Sequence, residues 1–176
     1  MWWSTAKTEG GEHRYTPGGT YPDDLHITFH TYSCQHCDLP ACVSVCPIDG
    51  ATFKRPEDGI VYTDYEACIG CQLCVEACPY GNRQQLDSPP EHLLDFAVGD
   101  KDVVPIPELV AVKCTFCYHR IDRGELPACI EICQAQARTF GDLDDVDSDI
   151  YKKLASREYF QLLTEQGTGP NLYYLT

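Results

Sequence analysis

Alternating hydrophobic and polar residues predict a first β-strand about twenty-five residues into the chain. Apolar and polar positions alternate from Leu25 to His30, which is the spacing of a strand with one apolar face. His26 and His30 then share the polar face, so we do not interpret them as a metal site. Residues 1–24 are rich in Gly, Thr and Pro, which predicts an extended loop.

Two further strands are predicted in the middle of the chain. Ala51–Phe53 and Ile60–Tyr62 are short runs rich in β-branched and aromatic residues. The segment between them contains Pro56, Asp58 and Gly59, which are residues that favour turns. We therefore expect a short β-hairpin here.

The C-terminal third predicts one helix, from Asp149 to about Leu163. The acidic segment 141–149 precedes it and is similar to a calcium-binding loop. That loop requires Gly at its sixth position and Glu at its twelfth, where this chain has Asp147 and Lys153. We interpret the acidic residues as a cap on the helix, because negative charge stabilises a helix N-terminus. An extended tail is expected from Gly167 to the end.

The composition excludes several classes of protein. The 176-residue chain has twelve cysteines, many of them two or three residues apart, a spacing that favours metal binding over a secreted disulfide scaffold. No apolar run is long enough to span a membrane, and the start has no signal-peptide pattern. A net charge of −14 argues against a nucleic-acid partner and indicates a solvated acidic surface.

The cysteines fall into three similar blocks. Each block begins with C-x2-C and ends with C-x3-C, and the blocks differ in the gap before the third cysteine. Such self-similarity indicates duplicated units. The first block is Cys34–Pro47 (CQHCDLPACVSVCP), the second is Cys68–Pro79 (CIGCQLCVEACP) and the third is Cys114–Cys133 (CTFCYHRIDRGELPACIEIC).

The second block has the C-x2-C-x2-C-x3-C-P spacing of bacterial 4Fe–4S ferredoxins, where the fourth cysteine ligates the other cluster of a pair. Zinc is the alternative, but zinc sites usually join two separated C-x2-C pairs. Exchange of the fourth cysteine between the first two blocks predicts two complete 4Fe–4S sites. These are Cys34, Cys37, Cys42 and Cys78 for one cluster, and Cys68, Cys71, Cys74 and Cys46 for the other.

The third block has no such partner in this chain. By the same logic Cys114, Cys117 and Cys129 would hold three corners of a further cluster, while Cys133 would reach towards a different one. Both would then need a fourth block. The alternative is that all four cysteines close on one cluster or on one zinc ion.

Basic residues flank the third block and allow two interpretations. They could offset the negative charge of the thiolates, or they could be bases on the surface that face a partner. The residues are Lys113, Arg120, Arg123 and Arg138.

The chain resembles the four-cluster iron–sulfur subunits of the dimethyl sulfoxide reductase family of molybdopterin oxidoreductases. The residues that carry the resemblance are CQHCDLPACVSVCP (34–47), DGATFKRPEDGIVYTDYEACIGCQLCVEACPYG (49–81), KCTFCYHRIDRGELPACIEIC (113–133), ARTFGDLDD (137–145) and GTGPNLYYL (167–175).

The resemblance implies an α+β fold. It consists of a bacterial-ferredoxin-like unit with a pseudo-twofold repeat, part of a second such unit and an extended C-terminal tail. We divide the chain into an N-terminal segment (1–24), a two-cluster domain (25–84), an insertion (85–112) and the remnant of a second half (113–176).

The resemblance also implies a partner for the third block. In the family this block pairs with an N-terminal block that is absent from this sequence. Met1 is therefore expected to be an internal methionine or a late start. Gln134 stands where the family usually has proline, which weakens the helix stop.

The implied function is non-catalytic electron transfer. The chain would relay single electrons between a membrane anchor subunit that oxidises quinol and a molybdopterin catalytic subunit, and its partners would hold it at the membrane. A free soluble polyferredoxin is one alternative, although it would not need the 85–110 insertion or the tail, which resemble partner-binding surface. A zinc-stabilised interaction module is the other.

Overall fold

The computed structural model describes residues 4–10, 27–88, 94–96, 99–101, 103 and 105–176. This part has an α+β fold of short helices and four separate two-stranded antiparallel sheets. The strands are β1 (Ser4–Gly10), β2 (Ile27–Ser33), β3 (Thr52–Lys54), β4 (Val61–Thr63), β5 (Gln84–Gln85), β6 (Ala111–Val112), β7 (Tyr159–Phe160) and β8 (Tyr174–Leu175). The helices are α1 (Ala41–Ser44), α2 (Leu73–Glu76), α3 (Tyr118–Ile121), α4 (Ala128–Glu131) and α5 (Asp149–Ser156), followed by a 3-10 turn at Thr164–Gln166. Over the described ranges, a helix with the length and apolar character of a membrane span is absent.

The first sheet corrects the expectation of a loop before residue 25. Ser4–Gly10 pairs with Ile27–Ser33 in an antiparallel ladder that runs from Ser4 opposite Ser33 to Gly10 opposite Ile27. The loop prediction is wrong for β1, because pairing with a strand far along the chain satisfies its backbone hydrogen bonds. The predicted strand is present, but its description begins at Ile27, and His26 lies outside the described residues. His30 makes edge-on ring contacts with Phe160 and Tyr174.

The predicted central hairpin is confirmed, with each strand shifted by one residue. β3 and β4 pair antiparallel, and the amide of Arg55 donates to the carbonyl of Ile60 at 2.9 Å across the turn. This hairpin supplies much of a small apolar core. The buried apolar residues are Ala51, Ile60, Val61, Cys74, Val110, Ala111 and Val112.

The third sheet joins the two ends of the insertion. β5 follows the second cysteine block, β6 precedes the third block, and the amide of Leu109 donates to the carbonyl of Leu86 at 2.7 Å. The third block then packs on the hairpin. Arg55 forms an ion pair with Asp122 at 2.7 Å, from Nη2 to Oδ1. These contacts bring all three cysteine blocks around one core.

The C-terminal helix begins where the sequence predicts and ends sooner. The side chain of Ser148 caps α5 by accepting a hydrogen bond from the amide of Tyr151 at 3.1 Å. The predicted end at Leu163 is wrong, because Arg157 is extended and β7 then pairs with β8. Tail residues thus take strand partners in place of helical ones.

Candidate metal centres

All three cysteine blocks end in the same local structure. A helix of four residues precedes the last cysteine of each block, as α1 before Cys46, α2 before Cys78 and α4 before Cys133. The amide of this cysteine donates to the carbonyl three residues earlier, at 3.1, 3.4 and 3.1 Å respectively. In the first two blocks a proline follows at once and prevents the helix from continuing. The last cysteine of each block thus ends a helical turn and does not belong to the C-x2-C loop at the start of the block.

One cavity, which we call the first cavity, is lined by cysteines from two blocks. Its empty volume is about 360 Å³. Three of its cysteines belong to the first block and the fourth belongs to the second. They are Cys34, Cys37, Cys42 and Cys78.

The second cavity has the reciprocal composition, with three cysteines from the second block and one from the first. Its empty volume is about 330 Å³, and its cysteines are Cys46, Cys68, Cys71 and Cys74. The structure thus brings together the same two sets of four cysteines that the spacing predicts.

The donor set of both cavities suits an iron–sulfur cluster better than a single ion. Each cavity offers four soft sulfur donors, the ligand type of Fe–S clusters. Within the described ranges, no three His, Cys, Asp or Glu side chains are grouped as a single metal ion requires. Four thiols spread around a larger space match a group that is itself several atoms wide.

The loop of the second block packs tightly against the end of the insertion. A Cβ atom at Gly70 would lie 2.0 Å from the carbonyl oxygen of Leu109, so a larger residue does not fit. The rim of the second cavity reaches the surface, because Cys71 and the apolar side chains of Ile69 and Leu73 are exposed. This cavity therefore lies close to the surface.

The C-terminal tail packs against the first block and lines the first cavity. Thr168 lines the cavity, and its carbonyl accepts from the amide of Leu39 at 2.9 Å. The carbonyl of Gly169 accepts from the amide of Asp38 at 2.7 Å, and Pro170 is buried. This part of the tail packs within the chain, which corrects the interpretation of the whole tail as partner-binding surface.

Burial in the first cavity works against its thiolates. It raises the pKa of Cys37 and Cys42, although a hydrogen bond with Thr168 lowers the pKa of Cys37 and the charge of Arg83 lowers that of Cys42. Metal binding requires the thiolate form. The site therefore depends on positive charge nearby.

Two buried cations supply that charge, Arg83 and Lys113, each with 3% of its surface exposed. Lys113 is one of the four bases that flank the third block. It donates hydrogen bonds to the carbonyls of Val61 and Cys114. Arg83 was missed. The available signal was its position, since it is the single lysine or arginine between Arg55 and Lys101 and it lies just after the second block.

Two of the other bases near the third block pair with acids. Arg120 forms an ion pair with Glu131, and Arg123 pairs with Glu125 at 3.1 Å. Arg138 is half-buried. Of the four, Lys113 is therefore the one with clear contact to the cysteine sites.

The third block lies beside the first cavity. Burial and then the thiols of Cys34 and Cys129 raise the pKa of Cys114 to about 11, although a backbone hydrogen bond at Phe116 and the charge of Lys113 oppose the increase. Cys129 is exposed, whereas Cys117 and Cys133 are half-buried. The charge interactions of Cys114 thus reach a cysteine of the first cavity and a cysteine of its own block.

Comparison with known proteins gives a consistent result. The family of 4Fe–4S dicluster domains matches residues 25–89 and 107–143. A relative from Halobacterium salinarum, provisionally named as an iron–sulfur subunit of dimethyl sulfoxide reductase, is 45% identical over 99% of this chain and 67% of its own. A sulfite dehydrogenase subunit from Allochromatium vinosum is 40% identical over 89% of this chain and 59% of its own. The arsenate respiratory reductase iron–sulfur subunit of a Shewanella species is 36% identical over 93% of this chain and 81% of its own. Across these and other relatives, the matched region spans between 49% and 81% of their length.

Proposed function

Because the chain belongs to the 4Fe–4S dicluster family and is similar to the iron–sulfur subunits of dimethyl sulfoxide reductase-type oxidoreductases, we propose that it is an electron relay. When bound, a 4Fe–4S cluster takes up and releases one electron without any change of bonds to a substrate. The chain's own task is to hold such groups and to tune their charge. Catalysis belongs to a partner subunit.

The composition of the two cavities is the observation that carries this proposal. Each is lined by three cysteines of one block and the last cysteine of the other block. A zinc module has no use for this exchange, whereas two neighbouring clusters need it. We assign Cys34, Cys37, Cys42 and Cys78 as ligands of one 4Fe–4S cluster, and Cys68, Cys71, Cys74 and Cys46 as ligands of the second. A pseudo-twofold relation between the first two blocks accounts for this reciprocity.

The third block supplies a further site in this proposal. Cys114, Cys117 and Cys129 would hold three corners of it, and Cys133 would reach towards another. The exposure of Cys129 supports a site that is completed by residues outside this block. The stacking of His36 in the first block on Phe116 in the third block supports electron transfer between these two blocks, because it brings them into contact. The relay would then run from the second cavity through the first to the third block, or in the reverse direction.

The partners follow from the names of the relatives. Several are named as subunits of reductases or dehydrogenases. We propose a molybdopterin catalytic subunit at one end of the relay and a membrane anchor subunit that oxidises quinol at the other. Association with the membrane would then come through these partners.

The test is to purify the protein without oxygen and to count iron, acid-labile sulfide and zinc. Two complete clusters require about 8 iron and 8 sulfide per chain, and a third cluster in the third block raises both to about 12. Stepwise reduction with dithionite should then add one electron per cluster. The loss of the brown absorbance measures this reduction.

Two outcomes would refute the proposal. A colourless protein that contains zinc in place of iron would favour an interaction module. An iron–sulfur protein that exchanges electrons freely in solution but does not bind a catalytic subunit would favour a free polyferredoxin. The iron count with co-purification of a partner therefore separates all three functions.

A further inference from the structure

Arg83 and Lys113 lie between the cysteine sites with no described carboxylate as ion-pair partner. Each is only 3% exposed. The guanidinium of Arg83 lines the first cavity and donates to Thr63 at 3.3 Å, while its Nε and Nη2 atoms have no hydrogen-bond partner in the described part of the chain. A buried charge is costly unless an anion compensates it. The anion is therefore the group that the cavity is built to hold.

The two cations reach the three sites unequally. Arg83 interacts electrostatically with Cys34 and Cys42 of the first cavity and with Cys74 of the second. Lys113 interacts with the same two cysteines of the first cavity and with Cys114 of the third block. Both cations therefore interact with cysteines of the first cavity, whereas the second cavity interacts with Arg83 and the third block with Lys113.

We propose that Arg83 and Lys113 form a buried cationic bridge that makes the first cavity the site of highest reduction potential in the chain. This inference rests on the proposed function, since it requires a 4Fe–4S cluster in each cavity. Reduction adds one electron and therefore one negative charge at the site, and no bond forms or breaks. Two nearby cations stabilise that added charge more than one does, particularly where little water screens them. An electron that enters the relay would rest at the first cavity before it moves on.

The experiment is an anaerobic redox titration of the full chain with dithionite as reductant. Electron paramagnetic resonance monitors the reduction of each cluster. The variant Lys113→Met removes the charge and keeps most of the side-chain length. We expect the reduction equilibrium of the first-cavity cluster to shift at least tenfold against reduction, which corresponds to about 59 mV for one electron. The second-cavity cluster should be unchanged in this variant, whereas Arg83→Gln should lower both potentials.

The first-cavity signal is assigned by its loss in a variant that lacks Cys34 and Cys78, which retains the second cavity and the third block. Two controls isolate the charge. Lys113→Arg keeps the charge and should retain the wild-type potential, and Lys152→Met removes an exposed charge on α5 and should have no effect because solvent screens it.

The outcomes separate cleanly. Loss of iron in Lys113→Met but not in Lys113→Arg would also support the bridge, since the charge is then needed for assembly. Equal loss of iron in both variants would overturn it, as would neutral variants that keep their clusters at unchanged potentials. A wild-type chain without iron and sulfide would overturn the proposed function itself. Two clusters with the same reduction potentials in the wild type and in these variants would overturn only the bridge.

Discussion

His36 and Phe116 lie face to face, with ring centroids 3.8 Å apart and ring planes 14° from parallel. Each ring belongs to a residue inside a C-x2-C pair, His36 in the first block and Phe116 in the third. Both residues have a positive φ angle, 45° and 53° respectively, which turns their side chains out of the loop. Phe140 meets the edge of Phe116 at 5.4 Å. Two cysteine loops far apart in sequence are thus held together by stacked rings.

Phe116→Leu should weaken this contact between the first and third blocks. An aromatic pair contributes about 0.5–1.5 kcal/mol beyond the burial of its surface. We therefore expect the thermal midpoint of the cluster-loaded protein to fall by about 2–4 °C, the shift that accompanies roughly 1 kcal/mol in a chain of this size. Differential scanning calorimetry under argon measures the change.

The matched control for this prediction is Phe96→Leu. It removes the same atoms from a ring that is 63% exposed, so its effect on the free energy of unfolding should stay within about 0.5 kcal/mol. Equal midpoints for the two variants would show that the stack contributes nothing to stability.

Double cysteine variants test which residues share a cavity. Cys34→Ala with Cys78→Ala removes two thiols from the first cavity only, so about 4 iron atoms should be lost. Cys34→Ala with Cys46→Ala removes one thiol from each cavity and should damage both sites. Iron and sulfide assays on anaerobically purified protein measure the difference.

The two pairs are matched in number and chemistry, and they differ only in the cavities they affect. If all four ligands of a cluster came from one block, Cys34→Ala with Cys46→Ala would remove only one cluster. That pattern would contradict the crossed assignment.

Gly169→Ala tests the attachment of the tail to the first block. A Cβ atom at this position would lie 3.1 Å from Cβ of Asp38, and φ is +60°. Gly167 has a similar φ of +66° with nothing within 4 Å of the added atom, so Gly167→Ala carries the same backbone strain without the contact. We expect Gly169→Ala to be less stable than this control by about 1 kcal/mol, the low end for overpacking.

The functional readout of that pair is the rate at which a chelator removes iron from the first cavity. It should rise in Gly169→Ala and stay at the wild-type value in Gly167→Ala, because only the first substitution disturbs the packing of the tail against the first block. Equal rates in both variants would mean that the tail does not protect the site.

His36 should make the fold sensitive to acid. Burial, followed by the charge of Lys113, lowers its pKa well below the usual value of 6.5, while its Nδ1 atom accepts from the amide of Val61 at 3.1 Å. The unfolded chain takes up a proton here below about pH 6.5 and the folded chain does not. Stability present above that pH is therefore lost as the pH falls, by at most about 1.4 kcal/mol per pH unit.

The comparison for this prediction is His36→Phe, which keeps a stacking ring and cannot titrate. Thermal midpoints measured between pH 7.5 and pH 5 should fall less steeply in the variant than in the wild type. Parallel slopes would show that His36 does not carry the acid sensitivity.

Local patterns predicted the features that depend on local chemistry. The hairpin around Gly59 follows from its turn residues, and the start of α5 at Asp149 follows from the acidic residues there, to which the structure adds the side-chain cap of Ser148. The two groups of cysteines around the cavities follow from spacing, because a short helix with a proline behind it directs the last cysteine away from its own loop.

What the sequence missed depends on contacts between distant segments. β1 is a strand because β2 lies beside it, and α5 ends early because β7 pairs with the last residues of the chain. Arg83 belongs to no sequence motif. Its proposed role depends on its burial between two sites that only the fold brings together. The role of Thr168 at the first cavity has the same origin.

The apolar core bears on the life of this protein in the cell. Few apolar residues are buried in the described part of the chain, and most of its helices have four residues. With so few buried apolar residues, we expect cluster binding to contribute much of the free energy of folding. In a cell starved of iron, newly made chains would remain open to proteases. The abundance of the relay would then follow the iron supply without any change in its transcription.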